Sequence, residues 1–65
     1  MNMKRLAEEI RVYRAKENLT QKELADLAEI ATRTIYRLEN NKARYIQDKT
    51  LEKLKELKIG LYINN

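Results

Sequence analysis

A chain of 65 residues has room for one domain around one modest core, with about 3–10 kcal/mol of net stability. It carries no cysteine and no histidine, which excludes disulfides, a Cys/His zinc cluster and the familiar nucleophile–base pairs, and its single glycine excludes a glycine-rich phosphate loop. The formal charge of +4 is moderate, so its distribution matters more than its sum, and the absence of proline favours helices joined by short turns over strands.

The start, Met1-Asn2-Met3-Lys4-Arg5, has no apolar run of signal-peptide length, and nothing approaches a membrane span. A soluble, cytosolic protein without metal, cofactor or catalytic activity is expected, and the missing cysteines fit a reducing compartment. From Met3 to Glu17, Leu6, Ile10 and Tyr13 recur at spacings of four and three, one helical stripe. Asn18 suits the left-handed exit that closes a helix. Thr20 is a good N-cap and Glu23, three residues on, completes a capping box, so a second helix runs from Gln21 to Ala28 with Leu24, Ala25 and Ala28 on one face.

A third helix starts at Ala31 or Thr32, turns Ile35 and Leu38 inward, and ends near Asn40-Asn41. Residues 42–47 read as a loop. Leu51, Leu54 and Leu57 mark a final helix over Thr50 to Lys58 that begins as early as Asp48, with Gly60 as its C-cap and Leu61 folding back on its last turn. The tail from Leu61 through Tyr62 and Ile63 is open between a short strand, a dimer contact and frayed chain. The fold class is therefore all-α, a compact bundle of four to five helices. Residues 1–60 form the domain and residues 61–65 a short tail.

Two short helices joined tightly at about a right angle need a small residue where they cross, a branched apolar residue after the turn, and two inward residues on the second helix. Ala25, Ile30, Ile35 and Leu38 meet these needs. That phase turns Thr32, Arg33, Tyr36 and Arg37 outward, with Thr34 near the edge. Residues 20–31 carry Lys22 against Glu23, Asp26 and Glu29, whereas residues 32–45 carry Arg33, Arg37, Lys42 and Arg44 against Glu39 alone. One face thus suits a polyanion. An α-helix fits the major groove of B-DNA, where arginine pairs with guanine O6 and N7 and threonine meets a thymine methyl or a phosphate.

The run Leu19-Thr20-Gln21-Lys22-Glu23-Leu24-Ala25, followed by Thr34-Ile35-Tyr36-Arg37-Leu38-Glu39-Asn40-Asn41-Lys42, resembles the phage repressor and Cro-type helix-turn-helix family. Upstream, Ile10-Arg11-Val12-Tyr13-Arg14 is similar to that family's first helix. The resemblance covers residues 6–42 closely and 50–60 loosely, and it implies a lambda-repressor-like bundle that binds double-stranded DNA as a transcriptional regulator. It implies that Thr32, Arg33, Thr34 and Arg37 read bases. Gln21, with Lys22 beside it, and Tyr36, Asn40, Lys42 and Arg44 would then meet phosphates. Arg14 and Glu39 would pair across the core. Outside such a motif, Arg33 and Arg37 would read as solvated charges, and Arg14–Glu39 as a surface pair of little consequence. Tyr36 and Tyr45 suit rim packing as well as DNA contact.

Three departures stand out. Glu29 occupies the usual glycine of the turn, Ala31 the usual Ser/Thr cap, and the loop 43–49 is about one residue longer than the family's usual loop. With Ala31 unable to cap, Thr32 becomes the candidate cap of the third helix. One copy offers few base contacts, so a repressor acting as a homodimer on a symmetric operator is expected, with the residues after Asn41, including Ile46, the final helix, Tyr62 and Ile63, at the dimer surface. The rival is an antitoxin-type protein whose tail holds a toxin or effector protein while the motif binds its own promoter.

Overall fold

A computed structural model describes residues 2–63, and among them are four helices and no strand: α1 (Met3–Glu17), α2 (Gln21–Ala28), α3 (Thr32–Glu39) and α4 (Asp48–Glu56). The bundle has four helices rather than five, and residues 64 and 65 of the expected tail lie outside the described residues. None of the helices is long and apolar enough to cross a membrane.

The starts of α1 and α2 are fastened by the residue in front of them. Asn2 accepts the Arg5 N–H at 2.9 Å and caps α1. At α2 the capping box is complete, Thr20 Oγ1 accepting from the Glu23 N–H at 3.0 Å and Glu23 Oε1 from the Thr20 N–H at 2.8 Å. At α3 the cap position is Ala31, which offers no side-chain acceptor, and Thr32 is the first residue inside the helix. This corrects the expectation that Thr32 caps α3, and it leaves the Thr32 side chain outward.

The four helices end alike. A residue in the left-handed region follows each one: Asn18 (φ 56°), Glu29 (φ 61°), Asn41 (φ 57°) and Lys58 (φ 68°). The next amide then reaches back to a carbonyl five residues earlier, Leu19 to Arg14 at 2.9 Å, Ile30 to Ala25 at 2.9 Å, Lys42 to Arg37 at 2.8 Å and Ile59 to Leu54 at 3.0 Å. These bonds satisfy carbonyls that the helix itself leaves without partners. Asparagine adopts this backbone readily, whereas Glu29 and Lys58 do so at a cost of about 1–2 kcal/mol. In the α2–α3 turn that cost is offset by Ile30, which follows Glu29 and packs partly buried against the core.

The end of α4 departs from the sequence reading. Gly60 is not its C-cap, and Leu61 does not fold back but stays 48% exposed. The helix stops at Glu56, Lys58 takes the left-handed position, and Ile59 rather than Leu61 covers the last turn. Gly60 (φ 76°) makes a second reversal that returns Ile63, whose N–H donates to the Gly60 carbonyl at 3.1 Å. Glu9 of α1 fastens this turn: its Oε1 accepts the Gly60 N–H at 2.8 Å while its Oε2 lies 3.3 Å from Arg5 Nε. The Arg5 guanidinium in turn lies 5.0 Å from the centre of the Tyr62 ring.

One core results. Leu6 and Ile10 of α1, Leu24, Ala25 and Ala28 of α2, Ile35 and Leu38 of α3, and Leu51 and Leu54 of α4 are buried together with Ile46, Ile59 and Ile63. The expected dimer surface changes accordingly. Ile46 and Ile63 are 5% and 2% exposed in the single chain and belong to its own core, so neither is on offer to a second copy or to a toxin. Of the described tail residues 61–63, Leu61 and Tyr62 face outward. Helix α3 packs on both α1 and α2, and α4 on α2, which leaves the opposite side of α3 open.

Candidate nucleic-acid interface

Inward-facing Ile35 and Leu38, 0% and 2% exposed, fix the rotation of α3 about its axis. A charged network adds a second constraint along that axis. Arg14 donates from Nε to Glu39 Oε1 at 2.9 Å and from Nη2 to Glu39 Oε2 at 2.6 Å, and its Nη1 donates to the Leu19 carbonyl at 3.0 Å. Arg11, one helical turn earlier, donates to the Glu39 main-chain carbonyl at 2.8 Å. Gln21 Nε2 reaches the same carboxylate at 3.3 Å. One acidic side chain at the end of α3 therefore ties together α1, the α1–α2 turn and the first residue of α2. The bidentate guanidinium–carboxylate geometry gives this pair direction as well as attraction.

Glu39 is buried, and its hydrogen bonds from Arg14 hold its carboxyl below the ordinary glutamate range, against the opposing effect of burial. A carboxylate whose folded pKa is depressed contributes stability that is fully present above its unfolded pKa, about 4.3, and is lost as pH falls through the folded value. Thermal melts should therefore be flat above about pH 5 and drop on acidification. In Glu39→Gln the melting temperature at pH 7 should fall by the equivalent of about 2 kcal/mol, and the acid slope should flatten so that the two curves converge at low pH. Parallel curves would assign the acid sensitivity to other groups.

Outward from these anchors, Thr32, Arg33, Tyr36 and Arg37 are exposed and Thr34 is half-buried. Gln21, Thr32, Arg33, Tyr36, Arg37 and Lys42 line one concave surface. A second groove adjoins it at Arg37 and runs from Thr34 past Arg44 and Tyr45 to Gln47 and Thr50 at the start of α4. Lys42 Nζ lies 5.4 Å from the Tyr36 ring centre, and Arg37 Nη2 is 3.5 Å from the Lys42 carbonyl. Asn40 donates to the Tyr36 carbonyl at 2.8 Å. Lys22 is exposed but lines neither groove and pairs with Asp26 at 3.0 Å.

The acids nearby do little to offset this charge. Glu39 is matched by Arg14, Asp26 by Lys22, and Glu23 is held in the capping box. Arg33, Arg37, Lys42 and Arg44 are exposed along the two adjoining grooves, which makes them a field aimed at a polyanion. Arg11 is the residue that sequence reasoning passed over. Its bond to Glu39 spans 28 positions and sits on an exposed arginine, so no periodicity announces it. Among the described residues, no group of three or more Asp, Glu, His or Cys side chains gathers as a metal site.

A family model described as helix-turn-helix matches residues 10–57, a span from the middle of α1 through α4. No curated protein and no solved structure matches the chain.

Proposed function

Because the chain belongs to the Cro/C1-type helix-turn-helix family of DNA-binding transcription regulators, we propose that it is a repressor that binds a two-fold symmetric operator as a homodimer in the cytoplasm. The observation that carries this reading is the outward face of α3, where two arginines, a threonine and a tyrosine stand exposed on a helix held by core packing on its other side. In this proposal Thr32, Arg33, Thr34 and Arg37 meet base edges in the major groove. Gln21, Lys22, Tyr36, Asn40, Lys42 and Arg44 meet the flanking phosphates. The Arg14–Glu39 pair holds Gln21 and α3 in one register.

A single copy offers few base contacts. Specific complexes of such proteins gain discrimination from two copies whose recognition helices lie about one helical turn of DNA apart. With Ile46 and Ile63 inside the fold, the second copy would meet the exposed parts of α4 and of the tail.

Binding of the full chain to duplex DNA, followed by anisotropy over a salt series, tests the proposal. Lys22, Lys42 and Arg44 supply three phosphate-facing cations per copy, so a two-copy complex should show a slope of log K on log salt of about −5. Analytical ultracentrifugation should find two chains per duplex. A salt-independent interaction, or a single chain on the specific duplex, would remove the phosphate anchoring or the dimer respectively.

A further inference from the structure

The chemistry of the α3 face restricts which bases it is equipped to read. Asparagine and glutamine, the side chains that pair bidentately with adenine, are absent from its exposed positions. Of the amides bordering this face, Gln21 Nε2 is on Glu39 at 3.3 Å and Asn40 Nδ2 on the Tyr36 carbonyl at 2.8 Å, while Gln47 stands off α3, in the adjoining groove in front of α4. The carboxylate that would accept from cytosine N4 is absent too, since Glu39 is buried on Arg14. Two arginines remain, with a threonine methyl suited to thymine methyls.

Arg33 has no hydrogen-bond or ion-pair partner among the described residues, and Arg37 has only the 3.5 Å contact to the Lys42 carbonyl. Both guanidinium forks are thus available. The two arginines are four positions apart on one α-helix, hence separated by about 6 Å along the axis and about 40° around it. Stacked base pairs rise about 3.4 Å, so side chains on this one stripe reach bases about two steps apart.

Resting on the reading above that α3 enters the major groove, we propose that each operator half-site presents two guanines about two base pairs apart. Arg33 reads one through O6 and N7, Arg37 reads the other, and no adenine is read through its N6 and N7.

Selection of the full chain against random duplexes tests both levels. The enriched half-site should contain two guanines one to three steps apart. Replacing either with 7-deazaguanine, which lacks the N7 acceptor but pairs normally, should weaken binding about 5- to 150-fold. Replacement of any adenine in the half-site by 7-deazaadenine should leave affinity within about twofold. Arg33→Gln should change the preference at one guanine position to adenine, and Arg37→Gln at the other. A symmetric enriched site without the guanine pair, or one indifferent to 7-deazaguanine, overturns this inference and leaves DNA binding standing. No enrichment of any duplex overturns the functional reading and this inference with it.

Discussion

Replacing Gly60 with alanine should lower stability by about 3 kcal/mol, a large share of what a domain of this size possesses. Two separate costs add at this position. The backbone stands at φ 76°, where an L side chain is strained by about 1–2 kcal/mol. A Cβ built there meets Leu51 Cδ1 at 3.1 Å and Leu6 Cδ1 at 3.2 Å, with Ile63 Cγ1 at 3.7 Å. Those leucines come from different helices and are 4% and 0% exposed, so neither moves without disturbing the core, a further cost of about 1–3 kcal/mol. Circular dichroism melts read the result directly, because in a small domain 1 kcal/mol corresponds to about 4–8 °C. Lys58→Gly, two residues away, should move the transition upward by the equivalent of about 0.5–1 kcal/mol, relieving left-handed strain at an exposed site while giving the unfolded chain more freedom. If the two substitutions shift the melt in the same direction, the account of this turn is wrong.

The contrast between these two positions marks where the sequence was readable. Starts of helices, and their buried faces, follow from local chemistry. Thr20 and Glu23 announce α2 within four residues, and the phase of Ile35 and Leu38 is enough to turn Arg33 and Arg37 outward. The left-handed exits at Asn18 and Asn41 were visible because asparagine tolerates them. Lys58 gave no such sign. Its backbone is set by the burial of Ile59 in the core, a tertiary demand that outweighs a local preference of about 1–2 kcal/mol. Gly60 stands out in the sequence, but its task does not, since closing α4 and returning Ile63 to the core look alike until Leu6 and Leu51 are in place around it. The same limit applies to the interface. The Arg14–Glu39 pair, 25 positions apart, has no spacing that announces it and follows from the family resemblance alone. The Gln21 and Arg11 bonds to Glu39, 18 and 28 positions apart in sequence, exist only once α1, α2 and α3 are packed.

The double variant Arg33→Ala/Arg37→Ala should keep its fold and lose its ability to tell one duplex from another. Both side chains are exposed, and among the described residues removing them breaks no hydrogen bond or ion pair except the 3.5 Å approach of Arg37 to the Lys42 carbonyl, so the melt should stay within about 4 °C. Binding should respond far more. Each good bidentate arginine–guanine pair discriminates by about 1–3 kcal/mol, and a two-copy complex loses four of them, so the preference for operator over random DNA should shrink by about a thousandfold or more. The residual affinity should remain salt-dependent, because phosphate contacts carry non-specific binding and bases do not. Lys42→Ala provides the opposite signature. It should weaken binding to all duplexes about equally and reduce the salt slope by about one per copy, leaving relative preference unchanged. Equal discrimination by wild type and the double variant would move base reading away from α3, to the loop at Arg44 and Tyr45 that forms the neighbouring groove.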